Sequence, residues 1–301
     1  MRSTACVLAA SVMCTSACAT TSTTSTTSTT TTTSAGAATT TGSSSTASGL
    51  TETIGKFVWH DLVTDDLPAA REFYGTLLGW EFSEVTRSGK PYVIARNYGR
   101  LVAGLVAVDA AIDQEVSQWI GYQSVPNVDD AVIAVETSGG LALVGPTEVD
   151  SIGRAAVVTD PQGAPFGLLR LKGPDPADPP SPIEGAFFWM ENLARDPAAA
   201  ATFYTRTFGY QQQVTAQQGT QEYIVLSRGR ARAGILQAPK PGMRPTWLPY
   251  VLVTDPAATA AKVAALGGTV LLEPRADVRK GSLAVVMDPS GAIVAFQKYP
   301  F

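Results

Sequence analysis

The sequence predicts an α+β fold built twice over: two tandem domains, each assembled from two βαβββ motifs. Three observations predict it. The chain of 301 residues repeats itself from about residue 55, first at an offset of 130 and later at 128. Each copy opens with an apolar strand followed by a capped amphipathic helix. Each copy closes on an Asp-Pro-x-Gly hairpin, in which Pro presets φ and Gly accepts a positive φ.

The repeat is read residue by residue. Phe57-Val58-Trp59-His60-Asp61 matches Phe187-Phe188-Trp189-Met190-Glu191. Asp66 matches Asp196, Phe73-Tyr74 matches Phe203-Tyr204, and Gly79-Trp80 matches Gly209-Tyr210. Further on, Trp119 to Tyr122 matches Trp247 to Tyr250, Gly139-Gly140 matches Gly267-Gly268, and Asp160 to Ala164 matches Asp288 to Ala292. A series of this kind marks a duplicated structural unit.

Each element follows in turn. Asp66 is suited to cap a helix, and Pro68 sits in its first turn, where a missing N–H does no harm. Ala70, Phe73, Tyr74, Leu77 and Leu78 then line one helical face, which Gly79 closes. Asp196, Pro197, Ala200, Phe203, Tyr204, Thr207, Phe208 and Gly209 repeat that pattern. Strand-like runs follow at Tyr92–Arg96 and Val102–Val108, and again at Glu222–Leu226 and Ala233–Gln237. Fifth strands begin near Trp119 and Trp247, and second helices end at the double glycines. Residues 53–172 and 184–301 are the two expected domains. The Pro-rich stretch 173–183 between them is an expected extended linker.

The N-terminus reads as an address and a tether. Arg2, an apolar stretch from Ala5 to Met13, and Thr15-Ser16-Ala17-Cys18 resemble an export signal ending in a lipobox. Cys18 is the expected lipid anchor, and cleavage after Ala19 is the alternative. Residues 19–48 hold 15 Thr and 8 Ser and no large apolar side chain. Such a segment has too little to bury to offset its ordering entropy, so 19–52 is expected to be a disordered spacer. The expected location is the cell envelope, lipid-anchored, or else secreted and soluble.

Composition excludes several functions. The three cysteines all fall in the first 18 positions, so the body can build no disulfide scaffold, zinc ribbon or cysteine nucleophile. His60 is the single histidine. With 22 basic and 26 acidic residues the net charge is −4, which argues against a nucleic-acid surface. Gly139-Gly140 follows a helix rather than opening one, so it is no phosphate loop.

These features together resemble the vicinal oxygen chelate superfamily, which includes glyoxalase I, bleomycin-resistance proteins and extradiol dioxygenases. The resemblance is carried by Asp66, Phe73, Tyr74, Leu78, Gly79, Trp80 and the Asp-Pro-x-Gly hairpin, and both patterns recur in the second half. It covers about 55–172 and 184–299. It implies that the eight strands of each domain curl into a cup for a small molecule. It also implies a divalent metal, held by His, Gln or Glu on the first, fourth, fifth and eighth strands. The family's first ligand position falls on Trp59 and Trp189, with His60 one residue out of register and so on the opposite face. Its last ligand position falls on Gly167 and Ala295. The fourth strands hold no carboxylate, His or Cys, and the fifth offers only Gln118 and Gln123. The expectation is therefore no metal and no cofactor.

The cups are expected to present aromatic walls with a carboxylate. Trp59 and Asp61 share a face with Phe57 and Val63, and Trp189 and Glu191 repeat the pair. Tyr92, Trp119 and Tyr122 are candidates to line the first cup, and Tyr223, Trp247 and Tyr250 the second. A tryptophan face attracts apolar and cationic groups. Structural packing is the competing account of these aromatics. Arg96, Arg170 and Arg228 are candidate partners for the two carboxylates. A Ser-His-Asp triad is not expected, because His60 faces away. Three readings follow: a tethered protein binding a small aromatic or cationic molecule without metal, a glyoxalase-type metal-dependent lyase or oxygenase, or a non-catalytic scaffold. The balance leans toward binding. The expected partner is a small molecule, with membrane contact only through the anchor. The assembly is expected to be a monomer with an internal pseudo-dimer, or a homodimer.

Overall fold

A computed structural model describes residues 53–87, 89–108, 117–216 and 222–299. The expected lipid anchor Cys18 and the whole of the expected spacer, 19–52, lie outside these residues.

Each half forms the expected two βαβββ motifs. The first half runs β1 (Phe57–Thr64), α1 (Leu67–Leu78), β2 (Glu81–Arg87), β3 (Lys90–Asn97) and β4 (Arg100–Ala107), then β5 (Gln118–Ser124), α2 (Val128–Thr137), β6 (Leu141–Val149), β7 (Gly153–Thr159) and β8 (Pro165–Leu171). The second half repeats this as β9 (Phe187–Ala194), α3 (Pro197–Phe208), β10 (Gln211–Ala216), β11 (Glu222–Arg228), β12 (Arg230–Gln237), β13 (Thr246–Leu252), α4 (Pro256–Val263), β14 (Thr269–Leu272), β15 (Leu283–Met287) and β16 (Ile293–Gln297). The sheets have the orders β2-β3-β4-β1-β5-β8-β7-β6 and β10-β11-β12-β9-β13-β16-β15-β14. β1 pairs with β4 in parallel and with β5 antiparallel, which joins the two motifs at the middle of the sheet.

The caps act as the sequence suggests. Asp66 accepts from the Ala69 N–H and Asp196 from the Ala199 N–H. Gly79 and Gly209 end their helices in left-handed conformation at φ 68°. In the hairpins, Asp160 Oδ1 accepts from the N–H groups of Gln162 and Ala164, and Asp288 Oδ1 from those of Ser290 and Ala292.

Each sheet has two unlike faces. The concave faces carry separate apolar clusters, one with Val63, Ile120 and Tyr122, the other with Leu193, Leu248 and Tyr250. The helix-bearing faces bury their residues against the other half. One shared core joins Phe73, Tyr74 and Trp119 to Val251, Val263 and Phe296. The other joins Val132, Val158 and Phe166 to Phe203, Tyr204 and Ile235. The segment between the halves carries no helix or strand and is pinned along its length. Asp175 accepts from Thr53 and from Ser124 Oγ, the latter at 2.6 Å, and Asp178 pairs with Lys56 and Arg232.

One register expectation is corrected. Phe57 does not share the cup face with Trp59. A bulge in β1 sets Phe57 opposite Gln123 but Trp59 opposite Tyr122, so two residues of β1 face one of β5. The extra residue resets the alternation. The Phe57 ring instead packs on Trp247, centroid to centroid at 5.0 Å.

Candidate functional site

β1 carries Trp59 and Asp61 onto the concave face of the first sheet. β3 brings Tyr92 and β5 brings Tyr122 to the same place. The Tyr92 hydroxyl donates to Asp61 Oδ1 at 2.5 Å. The Trp59 indole N–H reaches Asp61 Oδ1 at 2.8 Å and the Tyr92 oxygen at 2.9 Å. Asp61 and Tyr92 are buried, while Trp59 is half-buried at the rim. Burial lifts the Asp61 carboxyl above its usual range, against the pull of the Tyr92 and Trp59 hydrogen bonds, the Arg87 charge and the Tyr122 hydrogen bond. Burial and the Asp61 charge push the Tyr92 phenol well above its ordinary value. The Arg87 guanidinium lies 3.8 Å from the Tyr92 ring centroid, a cation–π contact.

The second sheet builds a related cluster. Tyr223 donates to Glu191 Oε1 at 2.6 Å, and Tyr250 donates to Glu191 Oε2. The Trp189 N–H donates to the Tyr223 oxygen at 2.8 Å. Arg279 forms an ion pair with Glu191 and donates to Gln297 Oε1 at 3.2 Å. Glu191 is only 1% exposed.

Three glycines make these contacts possible. A Cβ on Gly104 would lie 1.6 Å from the Tyr92 oxygen and 2.3 Å from Asp61 Oδ1. On Gly234 it would lie 2.0 Å from the Tyr223 oxygen, and on Gly167 2.1 Å from Tyr122 Cδ1. Glycine inside a strand marks such close approach. Gly104 and Gly234 stand in matching strands, β4 and β12, a signal present in the sequence and not used there. Arg87, Arg279 and Gln297 were also missed, because nothing in their local pattern announces a contact so distant along the chain.

Eight of the ten expected lining residues come together, four per cup: Trp59, Asp61, Tyr92 and Tyr122, then Trp189, Glu191, Tyr223 and Tyr250. Trp119 and Trp247 do not. They stand three residues before Tyr122 and Tyr250, and an odd spacing on a strand gives opposite faces. Their indoles donate instead to Tyr74 and Tyr204, at 2.9 and 3.0 Å, inside the shared cores. The carboxylate partners are also corrected. Glu191 takes Arg279, while Arg96 and Arg228 bond the main-chain oxygens of Gly99 and Phe208. His60 lies on the face away from the cup, its ring stacked on Phe187 at 4.0 Å, and burial brings its pKa down to about 3.

The metal implied by the family resemblance does not fit these residues. No group of three or more His, Cys, Asp or Glu side chains among the described residues is placed to hold a metal ion. Position 167 is filled by the ring of its pairing partner Tyr122 on the neighbouring strand β5, so a carboxylate there would collide with it. Among the described residues the cup clusters centre on one carboxylate each, Asp61 and Glu191, both bonded to phenols, where a divalent ion needs several oxygen or nitrogen ligands.

Comparison with known proteins agrees with the fold. The chain matches a family model described as a glyoxalase-like domain over residues 188–295. It matches a second, bleomycin resistance protein-like N-terminal, over 56–93. It is 34% identical over 244 residues to "Putative glyoxylase CFP32" of Mycobacterium tuberculosis, covering 80% of this chain and 93% of that one. It is 30% identical over 252 residues to the anthracycline biosynthesis protein DnrV of Streptomyces peucetius, covering 79% of this chain and 91% of that one. Among solved structures, the Mn(II)-bound glyoxalase from Novosphingobium aromaticivorans superposes with a TM-score of 0.53 at 15% identity, covering 81% of this chain and 82% of that one. The duplicated βαβββ motifs, the cupped sheets and these relatives lead to one conclusion: the chain belongs to the vicinal oxygen chelate superfamily, the glyoxalase, bleomycin-resistance and dioxygenase group, as a two-domain member.

Proposed function

We propose that this protein takes a small organic molecule into a cup and exchanges a proton with it through the Asp61–Tyr92 pair. The observation that carries this reading is the 2.5 Å bond between a buried carboxyl and a buried phenol, under a half-buried tryptophan. Burial keeps a proton on Asp61 to higher pH than usual, which suits a carboxyl that gives and takes one. Trp59 supplies the apolar wall, and the Asp61–Tyr92 pair is the polar contact that orients the guest.

The test is a fluorescence titration of the full chain with a panel of 2-oxoaldehydes, their thiol adducts and catechols, each also followed for turnover. Binding that Trp59→Ala weakens at least tenfold, with turnover lost in Asp61→Asn, is the expected result. Hits unchanged in Trp59→Ala and in Trp189→Ala would sink the reading and favour the scaffold.

A second reading is a glyoxalase-type metal-dependent lyase or oxygenase. The CFP32 relative, with glyoxylase in its name, favours it over pure binding. Stoichiometric Mn, Fe, Ni or Zn in the purified protein would establish it over the metal-free account. The N-terminal pattern supports export with a lipid on Cys18 as part of the proposal, and mass spectrometry of the mature N-terminus tests that.

A further inference from the structure

The two cups are built from the same repeat, yet a single residue makes them unequal. Arg279 enters the second cup from the loop between β14 and β15. It pairs with Glu191 and holds Gln297, and it lies over the rings of Tyr223 and Tyr250, 5.6 and 5.3 Å from their centroids. Its side chain is 14% exposed. The polar groups of this cluster are thus engaged by other side chains: both Glu191 oxygens, the Trp189 N–H, and the Tyr223 and Tyr250 hydroxyls.

Among the described residues the first cup shows no such element. At the repeat offset of 128, position 279 corresponds to Ser151, a short side chain whose hydroxyl bonds the adjoining Asp150 oxygen. Gln297 corresponds to Leu169, an apolar wall residue. The cation acting on Asp61 is Arg87, and it lies on the face of the Tyr92 ring.

The backbone around the plug is also under strain. Arg279 and Lys280 have φ of 45° and 55°, two consecutive non-glycine residues in the left-handed region. Ser151, at the matching position of the first half, is left-handed too at φ 61°, so the turn belongs to the repeat, and what is particular to the second half is the arginine it carries.

We propose that Arg279 plugs the second cup, so that the chain takes one small uncharged aromatic guest, in the first cup, and the second is opened only by removing the plug. This rests on the small-molecule reading above for the first cup, but not for the plug itself.

The experiment measures stoichiometry with the neutral dye N-phenyl-1-naphthylamine, whose emission rises in apolar surroundings. Arg279→Ala alone strands a buried carboxylate and destabilises the fold, so the working variant is Glu191→Gln with Arg279→Met, checked for native circular dichroism. The full chain is expected to bind one dye, lost in Trp59→Leu and kept in Trp189→Leu, and the double variant to bind two. One dye lost in Trp189→Leu instead, or two dyes on the unmodified chain, overturns the proposal. An unmodified chain that binds none while the double variant binds one keeps the plug and sinks the small-molecule reading. No gain of sites in a folded double variant overturns the plug whatever the first cup does.

Discussion

At the scale of single residues, His60 and Asp61 are neighbours with opposite fates. They sit on opposite faces of β1, and burial disfavours the charged form of both, lowering the His60 pKa and raising that of Asp61. Burial brings the His60 pKa from 6.5 to about 3. Its folded value is below its unfolded one, so between those values the unfolded chain binds more protons. Stability from this group is therefore complete above pH 6.5 and is lost as pH falls toward 3. Because His60 is the single histidine, its imidazole carbon-bound protons are expected to show no titration between pH 8 and 5 by NMR. A midpoint near 6.5 would mean the ring meets solvent. Asp61 runs the other way. Its folded value lies above 3.8, so the folded chain binds the proton more tightly, and its contribution to stability declines as pH rises through that window. The stability of native protein minus that of Asp61→Asn, from denaturant melts at pH 4 and 7, is expected to be smaller at pH 7. The facing of both residues was legible from the alternation of the strand, once the resemblance put the family's first ligand position at Trp59. Their partners were not, because Phe187 and Tyr92 lie 127 and 31 residues away and no local pattern encodes such contacts.

At the scale of elements, the period of two decided most of what was right and what was missed. It places Trp59 with Asp61 and Trp189 with Glu191. Applied equally to β5 and β13 it separates Trp119 from Tyr122 and Trp247 from Tyr250, a distinction lost when the four were grouped by residue type. The β1 bulge was not legible, since no Gly or Pro marks it and only pairing with β5 reveals the extra residue. The strand glycines were legible and carry a prediction. Gly104→Ala places a methyl group on the Tyr92 hydroxyl, within reach of a buried carboxyl that cannot retreat. A cost of about 1–3 kcal/mol is expected from overpacking, with loss of the Tyr92–Asp61 bond. Gly89→Ala is a poor control because of its positive φ, but Gly145→Ala meets nothing within 4 Å and has an ordinary φ, so it is expected to be near neutral. Urea melts of the two variants compare them directly. Equal stability would mean that β4 does not press on Tyr92.

At the scale of the whole molecule, the residues that carried the family resemblance hold the halves together. Tyr74 of α1 donates to Asp288 Oδ2 in the second half at 3.0 Å, and Tyr204 of α3 donates to Asp160 Oδ2 in the first at the same distance. The Trp80 indole donates to the Gly185 oxygen, and the Tyr210 hydroxyl donates to the Gly55 oxygen. Each clasp thus occurs twice, with the halves exchanging roles, as in a two-fold dimer whose subunits have been joined. The signature Phe-Tyr, Gly-Trp and Asp-Pro-x-Gly segments therefore serve assembly here, while the cups are made by residues the signature does not include. Since both apolar cores draw on both halves, neither half has a complete one of its own on the helix side. Unfolding of the full chain is expected to be a single transition, with near-ultraviolet circular dichroism and tryptophan emission coincident along a denaturant melt. Tyr74→Phe leaves Asp288 Oδ2 and the Trp119 N–H without that partner in a buried place, at an expected cost of about 1–3 kcal/mol. Tyr204→Phe does the same in mirror image. Because the two clasps touch different cores, their costs are expected to add while the transition stays single. Two resolved transitions in the double variant, one per half, would show instead that each sheet is stable without its neighbour and that the shared cores are dispensable.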